Sequence, residues 1–460
     1  MSEETHSPEA EAAPQWTESL ANYRNVLTVT AGLTLLQAAI SGLAVYVVLA
    51  LRAGEVSSLG IGFVTSTYAL GFLVGTVSAA HEIRMVGHIR AYAIFAALAS
   101  LAAFGFAIDP SLVWWALLQF VVGLCAAGLM TVGDSWIADS APEEQRGGIL
   151  GFYFVVTKTG VVAGPFLVSF LAGEPGAGLM LAAALFTASL LPVAATRRSQ
   201  PDAPSPEPFG PRELWSLAPA AVIAAFCAGM INNGVGQLYP VFASTLDETR
   251  PEAMAAYFNA ALIAGAMSAQ WPFGAVSDLV DRRLVVAACA LLGALASVIF
   301  LVVGTGLGLV PTLFISALYG AGALSFYGIA VAHAADRAGP GRATPMMAGI
   351  LLVWGIGSIA GPLLGGVAMS LSFGERGLFL FSGVFFIFLF AAMLLRRVDR
   401  AQVVGEEKES YGFVPATSLS VAEIDPRGEE DEQLDLFAYL GDLADDPTEP
   451  AHKPDAQGGA

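Results

Sequence analysis

Charge is what this sequence has least of. Asp, Glu, Lys and Arg make up only 13% of the 460 residues, against about a quarter in a soluble globular domain. Lysine is scarcer still: Lys158 is the single lysine before Lys408. These shortages exclude an ordinary soluble domain and a basic nucleic-acid surface, so no nucleic-acid partner is expected. The three cysteines, Cys125, Cys227 and Cys289, lie far apart in apolar segments. They have neither the spacing of a metal site nor a disulfide framework. A glycine loop ending in lysine, which would cradle nucleotide phosphates, is missing, and this argues against an ATP motor. With no nucleophile–base spacing and no metal constellation either, the expectation is not an enzyme, with no cofactor and no metal. A cleavable leader is not expected, because the first 22 residues are acidic and the apolar run after Arg24 is too long for a leader core.

Apolar length is what the chain has in plenty. A helix needs about 20 mostly apolar residues to span a bilayer. Twelve such runs are predicted, over 25–51, 57–79, 90–108, 112–136, 149–172, 177–195, 215–240, 253–274, 284–304, 309–334, 346–370 and 377–395. The sixth and seventh are separated by a polar, proline-rich stretch, 197–213, that reads as a linker. The expected division is an acidic N-terminal tail 1–23, a bundle 24–196, the linker 197–213, a bundle 214–397 and an acidic tail 398–460. The net charge of −18 sits in the tails, with −5 in 1–23, −12 in 398–460 and −1 in all the rest. Both tails are expected to be solvated and disordered. Within the second, 432–443 carries Leu434, Phe437, Leu440 and Leu443 on one helical face, which leaves a docking helix for a cytoplasmic partner as one reading. Arginines fix the orientation. Thirteen fall on the side of the N-terminus and only Arg52, Arg250 and Arg376 on the other, so both termini are expected in the cytoplasm.

The two halves also repeat. A shift of 197 residues carries Gly123 onto Gly320, Asp139 onto Asp336, Gly160 onto Gly357, Gly164 onto Gly361 and Pro165 onto Pro362. Two copies of a glycine-marked apolar hairpin indicate a duplicated membrane bundle. The expected fold class is therefore all-α membrane protein, with twelve transmembrane helices in two pseudo-symmetric six-helix bundles. Gly160 and Gly164 share a helix face, as do Gly357 and Gly361, and small residues so spaced let backbones approach closely. Pro165 and Pro362 each deprive a carbonyl one turn earlier of its donor and should bend their helices. A bend beside a smooth face reads as a hinge that rocks against a neighbour, with tight static packing as the alternative.

A second pattern is the segment Gly274 to Arg283, with Asp278, Asp281, Arg282 and Arg283. A carboxylate at a helix end facing guanidinium groups can latch one side of a gate. The glycine–proline pattern resembles the antiporter-type motif of the major facilitator superfamily, and Gly274 to Arg283 resembles that superfamily's cytoplasmic loop motif. The chain further resembles the superfamily's YcaD-like branch. That resemblance is carried by Arg146-Gly147 through Tyr153, Val86 to Arg90, Asn233-Gly234 to Val241 and Ala332-His333 to Asp336-Arg337. It implies the major facilitator fold, over roughly 24–397, in a bacterial inner membrane. It also implies alternating access driven by an ion gradient, most simply protons, with efflux by antiport ahead of uptake. Arg84 stands where the superfamily pattern has an acid, and Val168-Ser169 where it has two glycines.

Ionisable and amide groups inside the spans are the remaining candidates, since such groups are costly in lipid. Lys158, in the fifth span, reads either as a counter-charge or as a substrate or proton site. Asp134 would lie within a lysine's reach of it, or serve as an interfacial charge. His333 shares a helix face with Asp336, which suits either proton coupling or a gate. Asp139 and Asp336 are repeat equivalents and are expected to close one gate, with Arg146 nearby. Asn232, Asn233, Gln237 and Tyr239, near Pro240, suggest a locally unwound helix beside a binding site, with inter-helix amide bonding as the alternative. Tyr46 occupies the place of Tyr239 in the first half. The expectation is a monomeric secondary transporter of a small organic solute in a lipid bilayer. A membrane sensor or scaffold acting through the acidic tail is the alternative.

Overall fold

The computed structural model describes residues 15–140, 146–174, 176–194, 209–338, 342–399 and 418. The side chains of 15–25, 139–140, 146–147 and 398–399 fall outside that description. Residues 1–14 of the first tail, 197–208 of the linker, the second tail after 399 apart from Ser418, and with it the docking helix at 432–443, therefore lie outside the described residues, as do the side chains of Asp139 and Arg146. Residues 15–23, expected to be disordered, begin α1, and the linker ends in a helical turn from Pro211. Every regular element among the described residues is helical. In a hydrocarbon environment this is the arrangement that pairs each segment's backbone groups within itself.

The helices are α1 (Gln15–Ala53), α2 (Ser58–Val86), α3 (His88–Gly105), α4 (Leu112–Ser140), α5 (Arg146–Phe170) and α6 (Ala177–Ala194). They continue with a short α7 (Pro211–Leu217), then α8 (Pro219–Ala243), α9 (Pro251–Leu279), α10 (Arg282–Val303), α11 (Leu309–Ala335), α12 (Ala343–Met369) and α13 (Gly377–Asp399). Twelve of these are long. Eleven are long and apolar enough to cross a membrane by length and composition, and α9 is the one left out. The reason is visible in its residues. Asn259 and Gln270 dilute its apolarity, and both turn inward, to the seam between the bundles and to the cavity.

Three boundaries differ from expectation. The seventh span does not begin at 215, because Ala218 (φ −133°, ψ 61°) breaks the chain before Pro219, which occupies the first turn of α8. No unwinding occurs near Pro240, since α8 runs unbroken to Ala243. Pro240 sits in its last turn and leaves the Gly236 carbonyl without its helical donor, but the helix continues through it. The charged loops are also shorter than expected. α2 and α3 are joined at Gly87, whose φ of 85° permits the reversal, and α9 runs on to Leu279. Asp281 then caps α10, its carboxylate accepting from the Arg283 backbone N–H.

The two halves pack alike. In the first, α1 packs on α5 and α6, α2 on α4, and α3 on α4 and α6. In the second, α8 packs on α12 and α13, α9 on α11, and α10 on α11 and α13. The glycine contacts repeat residue by residue. A Cβ on Gly123 would stand 2.0 Å from the Tyr68 carbonyl oxygen, and one on Gly320 2.0 Å from that of Leu262. A Cβ on Gly71 would stand 2.0 Å from the Phe120 carbonyl oxygen, and one on Gly265 1.8 Å from that of Ala317. A Cβ on Gly160 or Gly164 would stand 2.2 or 2.3 Å from the Thr34 or Ala38 carbonyl oxygen of α1, and one on Gly357 or Gly361 2.3 Å from that of Phe226 or Met230 of α8. Each glycine pair packs two helices of one bundle together, because only a hydrogen fits against the facing carbonyl. The neighbour that each glycine face meets is therefore a helix of its own bundle.

The prolines do reach the seam. Pro165 leaves the Val161 carbonyl of α5 without its helical donor, and Asn259 Nδ2 of α9 donates to that oxygen at 3.0 Å. A Cβ on Gly62 of α2 would stand 2.4 Å from the Pro362 carbonyl oxygen of α12. Beyond these, Gly366 of α12 meets Ser58 of α2, and Arg52 at the end of α1 donates to the Val241 carbonyl of α8. Arg52 also pairs with Glu375 at 3.3 Å. The bundles are thus joined toward the end of the molecule that carries the α1–α2 turn.

Candidate functional site

Below this seal lies a cavity of about 320 Å³ between the bundles. Its walls come from α1, α2, α4 and α5 on one side and from α8, α9, α11 and α12 on the other. α8 turns Asn232, Asn233 and Gln237 toward it; Asn233 and Gln237 share a helix face, with Asn232 at its edge. Asn233 Nδ2 donates to Ser358 Oγ of α12 at 2.8 Å, which fixes the amide across the helix pair. Gln270 Nε2 of α9 donates to the Leu324 carbonyl at 3.1 Å, leaving its Oε1 buried and unpartnered. Asn232 Oδ1 is likewise buried without a partner. Aromatic rings form the rest of the lining: Tyr68 and Phe72 of α2, Phe154 of α5, Tyr327 of α11 and Trp354 of α12. Trp354 bridges the bundles, edge-on to Phe72 with ring centroids 6.4 Å apart. A second cavity of about 200 Å³ continues toward the seal past Tyr239, Pro240 and Asn259.

Lys158 is the one formal charge in the lining of the larger cavity. Its ammonium lies 5.2 Å from the Phe154 ring centroid, one turn back on α5. No ion pair joins it to a carboxylate among the described residues. The pairing with Asp134, one of the two readings of that carboxylate, is not formed. Asp134, fully buried, accepts from Tyr153 Oη at 2.7 Å and from Ser418 Oγ at 2.6 Å. Ser418, the described residue of the C-terminal tail, is itself buried there.

The other expected site residues divide. Tyr239 lines the smaller cavity, but its ring stacks on Phe258 at 5.6 Å and heads an aromatic cluster of the second bundle. Tyr46 does not line either cavity; a Cβ on Gly178 of α6 would stand 2.4 Å from its ring. Tyr46 fills the gap that this glycine leaves, a packing role inside the first bundle. His333 also lies off the cavities, in a tight crevice with Arg283 and Val286. It does not pair with Asp336, because that carboxylate is held by Arg282.

The Gly274 to Arg283 segment and Asp336 do come together. Arg282 Nε and Nη2 donate to the two Asp336 oxygens at 2.7 and 3.2 Å, and Nη1 reaches Asp278 at 3.0 Å. Both members of the Arg282–Asp336 pair are almost fully buried, at 1% and 2% side-chain exposure. A planar guanidinium gripping a carboxylate in two places is the strongest polar clamp side chains can make. Arg283 similarly holds Asp281 through Nε and Nη2, at 3.0 and 2.8 Å, and donates to the Arg396 carbonyl of α13. Burial pushes the Asp281 carboxyl up, but the Arg283 side-chain and backbone hydrogen bonds outweigh it and hold it below the usual carboxylate range. The clamps tie α9, α10, α11 and α13 within one bundle. No group of three His, Cys, Asp or Glu is placed to hold a metal among the described residues.

The aromatic lining, Gln37, Gln270 and Asn259 were not anticipated from the sequence. A signal existed for two of them. Asn259 and Gln270 are eleven residues apart, three helical turns, and share one face of the least apolar span.

Comparison with known proteins agrees with this architecture. The family model described as Major Facilitator Superfamily matches residues 27–271 and 252–430. The chain is 27% identical over 380 residues to an uncharacterized MFS-type transporter, YcaD, of Salmonella typhi, covering 82% of this chain and 97% of the relative. It is 28% identical over 376 residues to the YcaD of Escherichia coli O17:K52:H18, covering 81% and 96%. Among solved structures, a bacterial homologue of the human lysosomal transporter Spinster, inward-facing and unoccupied, matches with a TM-score of 0.66 at 15% identity, over 83% of this chain and 99% of that one. The nucleoside transporter NupG matches with a TM-score of 0.64 at 13% identity, over 81% and 98%.

Proposed function

The chain belongs to the Major Facilitator Superfamily, and on that premise we propose that it moves a small organic solute across a bacterial inner membrane by alternating access. The observation that carries this reading is the central cavity, walled by both bundles and sealed toward one end by contacts that cross between them. If the termini lie in the cytoplasm, as the arginine distribution indicates, the sealed end is the outer one and this conformation faces inward. Transport then requires the Arg52, Asn259 and Gly62 contacts to part while the opposite ends approach.

We propose protons as the coupling ion and efflux by antiport as the direction. Asp134 supports the coupling. It is a buried carboxylate inside a span, held by a tyrosine hydroxyl, and a carboxylate so placed exchanges protons with the medium only when its surroundings open. The test is flux in proteoliposomes of the full chain under an imposed pH gradient. Flux that follows the gradient and is lost in Asp134→Asn supports the coupling. Gradient-independent flux of the same solute removes it.

One contact favours a second reading, in which the acidic tail acts on the carrier. Ser418 reaches the same Asp134 carboxylate from the C-terminal segment. Deleting 400–460 should then change flux with the bundles still folded. Unchanged flux would leave the tail without a role in transport.

A further inference from the structure

Building on the transport reading, we propose that the central cavity takes a small organic anion with an aromatic or conjugated body and at least one hydrogen-bond donor. The argument starts from the charge balance of the lining. Lys158 is the one formal charge there, and no carboxylate among the described residues pairs with it. An ammonium at membrane depth needs compensation, because unpaired charge in a low-dielectric interior is among the costliest arrangements a protein can hold. The Phe154 face, 5.2 Å away, offers a cation–π contact, which is weaker than the cost of desolvating an ion. The bilayer segment therefore carries a cation that has no carboxylate partner among the described residues. A ligand anion supplies that partner, and a ligand cation would meet a like charge.

Two more features narrow the class. The Gln270 amide is held by its bond to the Leu324 carbonyl, and its oxygen is packed in the cavity wall without a protein donor. Asn232 Oδ1, on α8, is likewise buried in the wall without a donor. Buried acceptors without donors are costly. A side-chain turn that brings either oxygen to the cavity surface lets a ligand hydroxyl or amine satisfy it. The rings of Tyr68, Phe72, Tyr327 and Trp354 offer flat apolar walls suited to a planar body. The volume, about 320 Å³, sits at the small end of ligand pockets and favours a fused two-ring molecule over a nucleotide or an oligosaccharide.

The test uses three probes of one shape: 6-hydroxy-2-naphthoate, its neutral carboxamide, and 6-hydroxy-2-naphthylmethylammonium. Equilibrium binding to the purified full chain in detergent is measured for wild type, Lys158→Met and Lys158→Arg, alongside each variant's thermal midpoint. The naphthoate should bind at least tenfold more tightly than the carboxamide, and the ammonium more weakly still. Lys158→Met should erase the preference for the anion, and Lys158→Arg should keep it, with both midpoints close to wild type. Ammonium binding equal to or tighter than the anion's overturns the proposal, as does naphthoate affinity unchanged in Lys158→Met. Binding of none of the three also overturns it. If Lys158→Met fails to fold, the probe preference in wild type and in Lys158→Arg still decides. Flux of the cationic probe in proteoliposomes would refute the anion class and leave the transport reading standing. A chain that moves no probe and shows no coupled opening of its two ends would refute the transport reading itself.

Discussion

The bond from Asn259 to the Val161 carbonyl should be a latch whose strength depends on a proline four residues away. Pro165 cannot donate to Val161, so that carbonyl is available only because the helix has been interrupted. Asn259, 7% exposed, fills the vacancy from the other bundle. Asn259→Leu leaves the carbonyl buried and unbonded in the sealed state, at a cost of about 1–3 kcal/mol. When the bundles part at that end, water can reach the oxygen and the cost disappears. The whole penalty then falls on the sealed state. At about 1.4 kcal/mol per tenfold, it shifts the sealed-to-open ratio by about fivefold to somewhat over a hundredfold. Pro165→Ala changes the arithmetic, because residue 165 regains an N–H and the Val161 carbonyl regains its helical donor. In that background Asn259→Leu should cost less than about 0.5 kcal/mol, a coupling that a double-mutant cycle reads directly. The populations can be followed by electron–electron spin resonance between labels at the exposed positions Ala53 and Glu248, one on each bundle at the sealed end. If Asn259→Leu leaves the distance distribution unchanged, or shifts it equally with and without Pro165, the latch reasoning is wrong.

Three further outcomes follow from the same contacts. Asp336→Asn breaks a doubly hydrogen-bonded pair with a fully buried Arg282, and should lower stability by about 3–5 kcal/mol in thermal or denaturant unfolding in detergent. An effect below about 1 kcal/mol would mean that the guanidinium finds other partners. Gly123→Ala and Gly320→Ala should both destabilise the protein, since each added Cβ would stand 2.0 Å from a carbonyl of the adjoining helix. Gly151→Ala, with open space around it, should be neutral or gain up to about 1 kcal/mol of helix propensity. Equal effects at all three positions would contradict the packing account. Asp281 sets an acid limit. Its folded carboxyl titrates below its unfolded value, so its contribution is complete above about pH 4 and is lost as the pH falls through the folded pKa. The thermal midpoint of the wild type should therefore drop more steeply below pH 4 than that of Asp281→Asn, and parallel curves would remove Asp281 from the account.

The duplication was legible because close helix packing leaves a mark that composition cannot blur. Where a carbonyl presses on a helix only glycine fits, and Gly123, Gly160 and Gly164 recur as Gly320, Gly357 and Gly361 for that reason. What the mark does not say is which neighbour the glycine faces; that each pair meets a helix of its own bundle is visible only in the structure. The same ambiguity hid the cavity. In a span that is apolar all round, the faces toward lipid, bundle core and cavity differ little in hydrophobicity, so the inward phase of Tyr68, Phe72 and Trp354 could not be read. Polar residues break the ambiguity, which is why Lys158, Asn232, Asn233 and Gln237 were found. Tyr46 misled because symmetry of position is not symmetry of role: its counterpart Tyr239 borders a cavity, while Tyr46 covers Gly178. The Arg282 clamp was legible as chemistry, though the placing of Asp336 in it depends on how α11 meets the α9–α10 turn.

The most direct test of alternating access is the side from which a cavity residue can be reached. Met267→Cys places a thiol in the cavity wall, and a membrane-impermeant maleimide can be applied to either face of oriented vesicles. In the free protein the thiol should react from both faces. With Arg52→Cys and Glu375→Cys joined beforehand by a short bifunctional reagent, the sealed end cannot part, and reaction should persist from the face bearing the termini and cease from the other. Reaction from both faces while the seal is locked, or from one face alone in the free protein, would contradict the account.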